Sequence, residues 1–256
     1  MIERITEKER LFGYLSRDRI RAGYFIGCLD DSYDEYTEWW ALSRGADIRA
    51  LLMVYQGLSM PALFTLGGTR EVAELVARCV QELPRRFYAH LQEEHAPAFS
   101  SWYRGGDVAR MRRMVLRRED FVPPIETRGV RRLVHSDTAA LMALYRYYPD
   151  HLFEPYQLES GLYFGEAGGA GLIAAAGVHV VSRRYDVATI GNVVTHPEHR
   201  GRGHAARCTG RLLEDLLVHV SLVALNVREA NDAARATFRK IGFRDAHTYL
   251  EVPCEL

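Results

Sequence analysis

Arg200-Gly201-Arg202-Gly203-His204-Ala205 is the run of residue types in this chain that most directly implies chemistry. Two glycines one residue apart let the backbone turn sharply and approach a ligand with no side chain in the way. A helical pattern follows at once, from Gly203 to about His219, with Ala205, Cys208, Leu212 and Leu216 on one face. A helix that begins here leaves several backbone N–H groups unpaired and carries a partial positive charge. Such a loop suits an anion, above all a diphosphate. Arg200 and Arg202 add cationic donors.

The elements on either side must hold that loop. Thr189 to Thr195 reads as a strand, His196-Pro197-Glu198-His199 turns the chain, and Leu222-Val223-Ala224-Leu225 reads as a buried parallel strand. Strand, glycine loop, helix and strand make a βαβ unit. Gly201 to Ala206 also fits the dinucleotide fingerprint G-x-G-x-x-A. Position argues against that ligand, because only about 55 residues follow Gly201, short of the rest of a doubly wound sheet. His196 to Arg200 also separate the strand from the first glycine, and no Gly-Lys-Ser/Thr run supports a P-loop.

Three ordered motifs resemble those of the GNAT acyltransferases, which move an acetyl group from acetyl-CoA to an amine. Arg200, Gly203 and Ala205 fill Arg/Gln-x-x-Gly-x-Gly/Ala, and Thr195-His196-Pro197 stands at Val-x-Pro. Leu225, Val227, Asn231 and Ala234 keep the spacing of Leu-x-Val-x-x-x-Asn-x-x-Ala, and Gly242-Phe243 closes the following helix. In that helix Asn231 is the expected N-cap and Gly242 the expected left-handed C-cap, with Ala234, Phe238 and Ile241 on the apolar face.

The resemblance covers residues 126–256 and implies an α/β (α+β) fold whose mixed sheet is splayed at its centre and flanked by helices. Residues 1–122 form a second α/β domain, divided from the first near Pro123-Pro124. In it, runs at 50–55 and 62–66 read as strands, Thr69 to Leu83 as a helix capped by Thr69, and 87–91 as a further strand. This half is either a degenerate copy of the same fold, with Gly67-Gly68 before its helix, or an unrelated domain capping the substrate.

The resemblance further implies acetyl-CoA as acyl-donor cosubstrate and direct transfer to a small-molecule amine in a ternary complex. Backbone at Val193, Val194 and Thr195 would hold the thioester and pantetheine arm. Arg200, Gly201, Arg202, Gly203, His204 and Ala205 would hold the diphosphate, and Asn226, Asn231, Ala234 and Phe238 would complete the cofactor surface. Phe238 departs from the family pattern. Many members carry a Tyr there as acid to the leaving thiolate, and Phe has no proton to give. Tyr249 is the candidate substitute, His179 the candidate base, and Asn192 a candidate to orient a water or the substrate. Phe238 also leaves open a non-catalytic acyl-CoA-binding module. Asp186 reads as a turn residue. His196, His199, His204 and Cys208 match no standard metal spacing, so no metal is expected.

Bulk properties narrow the setting. Lys plus Arg and Asp plus Glu are both 33, so net charge argues for neither nucleic acid nor an anionic membrane as partner. Arg110-Met111-Arg112-Arg113 and Arg117-Arg118 read as a solvated face. Tyr33 to Trp40 reads as an amphipathic helix, or as the lining of an acceptor pocket. No apolar run nears the roughly 18 residues that span a bilayer, and Met1-Ile2-Glu3-Arg4 opens no signal peptide. Cys28, Cys79, Cys208 and Cys254 share no metal spacing and suit a reducing cytoplasm.

Overall fold

Short apolar strands alternate with amphipathic helices along the chain. The computed structural model describes residues 1–256 except Ile125, Asp150 and Ala170. In order come β1 (Ile2–Arg4), α1 (Lys8–Leu15), α2 (Gly23–Gly27), β2 (Thr37–Arg44), β3 (Asp47–Tyr55), β4 (Ala62–Gly67), α3 (Thr69–Cys79), β5 (Arg86–Leu91), α4 (Ala96–Ser100), β6 (Arg104–Gly105) and β7 (Ala109–Arg117). Then follow β8 (Val130–Arg132), α5 (Thr138–Tyr145), β9 (Tyr163–Gly168), β10 (Gly171–Ser182), β11 (Val187–Thr195), α6 (His204–Leu216), β12 (Leu222–Arg228), α7 (Asp232–Ile241) and β13 (Arg244–Glu255). The chain folds into two compact units: Met1–Arg113 with Arg228–Ala230 and Ala246–Leu256, and Met114–Val227 with Asn231–Asp245.

In the N-terminal unit β1, β2, β3 and β4 pair antiparallel in that order, β4 pairs parallel with β5, and β13 joins β5 antiparallel. Val72, Leu75, Val76 and Cys79 recur at helical spacing on α3 and bury into a core with Trp40, Leu52 and Phe87. Three expectations are corrected here. Tyr33 to Trp40 is not one helix: a short 3-10 turn ends at Tyr36, and Trp39 and Trp40 lie buried on β2. Aromatic side chains pack well across a pleated sheet, which outweighs the helical spacing. Thr69 is the first helical residue of α3 rather than its cap, a position Gly68 takes. Arg113 is not on a solvated face. It is 4% exposed, and its guanidinium donates to the carbonyls of Ile20 (3.2 Å) and Arg21 (2.8 Å). The rings of Tyr24 and Tyr249, 5.3 and 5.6 Å away, flank it and supply cation–π attraction.

The C-terminal unit repeats the same order: β8, β9, β10 and β11 antiparallel, then β12 parallel to β11. One core lies beneath α6, with Ala176, Val178, Ile190, Cys208, Leu212 and Leu216. A second lies on the opposite face under α5, with Leu141, Leu144, Tyr145, Tyr163 and Val194. Asp137 precedes α5, but its carboxylate accepts from the Val134 N–H (2.9 Å) in the turn before, and not from the helix. Among the described residues no helix is long and apolar enough to cross a membrane.

Candidate functional site

β11 and β12 run in parallel register from Val187 opposite Leu222 to Ile190 opposite Leu225, and no later pair forms among the described residues. From Gly191 to Thr195 the edge of β11 that faced β12 is open. Irregular pairing with β10 drives the departure. Asn192 and Val193 together oppose Ala176, and farther along β10 the extra residue is His179. A bulge bends the strand that carries it and increases its twist.

Asn192 sits at φ 51°, left-handed backbone that costs most non-glycine residues energy. Its side chain holds it there. Nδ2 reaches the Tyr163 hydroxyl at 2.9 Å, Gln157 Oε1 at 3.3 Å and the Leu152 carbonyl at 3.4 Å. Tyr163 donates to Gln157 Oε1 at 2.8 Å, and the buried Tyr145 hydroxyl donates to the Asn192 carbonyl at 2.8 Å. The Asn192 amide is therefore turned into the α5-side packing. These inward bonds engage its Nδ2 donors, so the side chain holds the strand in position.

His179 lies on the same face. A Cβ on Gly191 would stand 2.3 Å from the His179 ring, and one on Gly177 would stand 2.1 Å from Tyr163 Cε1. The two glycines make room for these rings beside the opening. Val193 packs toward the α6 core and Val194 toward the α5 core. Thr195 is held at the strand edge by Tyr148. That hydroxyl meets the Thr195 carbonyl in a close hydrogen bond, accepts from the Thr195 N–H at 3.3 Å, and accepts from Arg200 Nη2 at 3.0 Å. The Arg200 guanidinium lies 5.4 Å from the Tyr148 ring centre.

The loop after β11 has the form its glycines suggest. Gly201 (φ 76°) and Gly203 (φ 80°) are both left-handed, and a Cβ on Gly201 would meet nothing within 4 Å. Gly203 is the N-cap of α6, whose side chains cap none of its first N–H groups. Arg200, Arg202 and Gly203 beside them are exposed, as an anion site requires. His204 is 9% exposed and turned inward onto Glu166, while Ala205 is half-buried at the helix start. Burial pushes the Glu166 carboxyl up, but bonds from Arg207 and His204 outweigh it and hold its pKa below the ordinary value.

Asn226 is the first β12 residue past the last β11 pair. Asn231 caps α7 by accepting from the Ala234 N–H at 3.1 Å, and Gly242 (φ 110°) ends it, with Phe243 N–H returning to the Phe238 carbonyl at 3.1 Å. Phe238 is 5% exposed, with its ring 5.9 Å from that of Phe243. Asp186 is a turn residue at φ 55°, accepting from the Ser221 N–H at 2.5 Å. Tyr249 belongs to the packing of the N-terminal unit, where it donates to Glu251 at 2.7 Å and burial pushes its pKa well up.

The corresponding strand end of the N-terminal unit is filled. β4 and β5 pair up to Phe64 opposite His90, and beyond that point the fully buried His95 occupies the edge. Its ring nitrogens meet Thr65 Oγ1 at 2.9 Å and the Gly67 carbonyl at 3.2 Å. A single residue, Gly68, links β4 to α3, and the Glu71 carboxylate lies 2.5 Å from where its Cβ would be. A carboxylate over a helix N-terminus takes the place an anion would use.

Sequence reasoning missed Glu166, Arg207, Tyr145, Tyr148, Tyr163 and Gln157. Arg207, one turn beyond the loop, and the Tyr145/Tyr148 pair at the end of α5 carried a local signal in their spacing. The strand residue Glu166 carried none.

A family profile described as FR47-like protein matches residues 171–252. The N-alpha-acetyltransferase RimI of Mycobacterium tuberculosis is 36% identical over 86 residues, covering 32% of this chain and 51% of the relative. The chain thus spans about half the length of that curated relative. Among solved structures, a Drosophila protein aligns over 98% of this chain and 97% of its own, with a TM-score of 0.75 at 12% identity. A tandem GNAT protein from the clavulanic acid biosynthesis pathway aligns over 100% and 98%, with a TM-score of 0.61 at 14% identity. At these identities the structural likeness speaks for the fold.

Proposed function

We propose that this chain, through its C-terminal half, is a GNAT-type acetyltransferase, and that it binds acetyl-CoA and transfers the acetyl group to the amine of a small molecule; the FR47-like match over residues 171–252 and the N-alpha-acetyltransferase relative support this reading. The observation that carries this reading is one continuous opening. The unpaired edge of β11 leads directly into a loop with two left-handed glycines at the start of α6. Bound there, acetyl-CoA supplies an acetyl thioester.

Arg200, Arg202 and the first N–H groups of α6 hold the diphosphate. The Thr195 N–H and carbonyl, held by the Tyr148 hydroxyl in the free chain, turn to the pantetheine arm when that hydroxyl gives way, and strand alternation puts the Val193 N–H on the same edge. That N–H, directed at the thioester, stabilises negative charge on its oxygen. His179, whose ring borders Gly191, takes the proton the acceptor nitrogen loses. Asn192 fixes the bulge that aims the strand. Phe238 gives no proton, so the thiolate leaves as the anion and is protonated from solvent. We assign the N-terminal unit, which ends its first segment at Arg113 and regains the chain at Ala246–Leu256, no cofactor site, because His95 and Glu71 fill the two positions a carrier would need.

The test is the melting temperature with acetyl-CoA, with NAD as control and Gly203→Asp beside the parent. A ligand at a hundredfold its Kd adds about 2.7 kcal/mol. A shift with acetyl-CoA that NAD does not produce and the variant loses is the expected result; no shift at saturation would refute the reading. An amine panel then follows, including a peptide N-terminus, since the Mycobacterium relative is named for N-alpha-acetylation. Tight binding without turnover of any amine would instead favour a non-catalytic carrier-binding module, the alternative that the buried Phe238 motivates.

A further inference from the structure

Four basic residues crowd the start of α6, yet they do not share one role. Arg200 and Arg202 are exposed. His204 and Arg207 are drawn beneath the helix by Glu166, whose side chain is only 14% exposed. His204 Nδ1 lies 2.9 Å from Glu166 Oε2, and Arg207 grips both carboxylate oxygens, Nε to Oε2 at 3.1 Å and Nη2 to Oε1 at 2.9 Å. A two-pronged pair of this kind fixes the guanidinium in orientation as well as place. The remaining arm of Arg207 then has one direction to point. Nη1 donates to the Arg202 carbonyl at 3.1 Å, and it would lie 3.4 Å from a Cβ on Gly203.

That last bond sets the peptide between Arg202 and Gly203. A trans peptide is planar, with its C=O and N–H on opposite sides. With the Arg202 carbonyl pulled in toward Arg207, the Gly203 N–H must point away from it, to the ligand side. Turned the other way, the same peptide would present a carbonyl oxygen to a diphosphate and repel it.

We propose that Glu166 is a positioning residue for diphosphate binding: through Arg207 it locks the Arg202–Gly203 peptide with its N–H facing the ligand. The proposal rests on the acyl-CoA reading above. It assigns β9, which contributes no residue to the family motifs, a part in donor affinity.

Calorimetry on the full chain tests it, with CoA and, by displacement, pantetheine, which lacks the diphosphate. Glu166→Gln should bind CoA about tenfold more weakly, the scale of one charge-assisted hydrogen bond, with pantetheine affinity unchanged. Arg207→Lys keeps the charge opposite Glu166 but cannot grip the carboxylate and reach Arg202 together, so it should show the same loss. The double variant should be no worse than either single one, since the residues act in series. Melting curves without ligand identify which variants fold. Unchanged CoA affinity in both variants, an equal loss for CoA and pantetheine, or additive losses would overturn the proposal. Failure of the parent to bind CoA would refute the acyl-CoA reading and the proposal with it, whereas parental binding matched by both variants would sink the Glu166 role alone.

Discussion

Asn192 offers a way to measure what holds the strand opening in shape. It combines left-handed backbone at φ 51° with side-chain bonds to Tyr163, Gln157 and Leu152. Asn192→Gly keeps the backbone free to adopt that conformation and removes the bonds. Asn192→Ala removes the same bonds and adds a Cβ that disfavours it. Tyr163 still donates to Gln157 in either variant, so the bonds lost amount to about 1–2 kcal/mol. The left-handed penalty for a residue with a Cβ is roughly 1–2 kcal/mol. It is partly offset in Ala by a stiffer unfolded chain, worth about 0.4–1 kcal/mol. The net expectation is Ala below Gly by about 1 kcal/mol, with both below the parent. At about 2–4 °C per kcal/mol, Asn192→Ala melts several degrees lower, and Asn192→Gly lies between it and the parent. Thermal and urea unfolding, followed on the transition that acetyl-CoA shifts, reads both values. If Gly is as damaging as Ala, the positive φ is not what the side chain sustains and the reasoning fails.

Tyr148→Phe frees the Thr195 N–H and carbonyl that its hydroxyl holds, so acetyl-CoA should bind roughly two- to tenfold tighter, the worth of one net hydrogen bond. Weaker binding would mean that the hydroxyl serves the ligand instead. Gly242→Ala brings a Cβ to 2.1 Å from the Asp120 carbonyl at φ 110°. It should cost more than about 2 kcal/mol in a denaturant melt, and a neutral result would refute the packing drawn there. Glu166 has a lowered folded pKa against an ordinary 4.5, so its contribution is present above that value and lost as pH falls through the folded pKa. The gap in melting temperature between the parent and Glu166→Gln should therefore close on acidification; a gap constant with pH would contradict the ion pair. Cys28, Cys79, Cys208 and Cys254 are all buried, and burial pushes the Cys208 thiol to about 12. A disulfide reagent should label them only as the chain unfolds, and fast native labelling would be inconsistent with this core.

What the sequence made legible is what short-range chemistry decides. Asn231 capping Ala234, Gly242 closing α7 and the two glycines before α6 each depend on residues within four positions of one another. The parallel β11–β12 pair was readable because both strands are short apolar runs around a glycine loop. Asn192 was visible as a residue but not as a bulge, because its conformation depends on partners brought in by strand register: Tyr163, Gln157 and Leu152. Glu166 meets Arg207 for the same reason. Arg113 misled because sequence counts its charge and not its neighbours; two carbonyls and two rings make burial tolerable. Trp39 and Trp40 misled because a short aromatic run satisfies two periodicities at once.

The pairing of β13 with β5 has a consequence for how the protein comes into being. Leu250 lies opposite Leu91 and Cys254 opposite Phe87, and both late residues belong to the core under α3. On the ribosome the earlier residues emerge long before these partners exist, so the β5 edge must wait while the whole C-terminal unit is made. An unpaired edge invites association with other chains, and slow long-range closure prolongs that exposure. The first half of the chain to be synthesised is thus the last to complete its sheet. Stalled translation or clipping of the final ten residues would injure the N-terminal unit and leave the candidate acyl-carrier site, built from earlier residues, with its own strands intact.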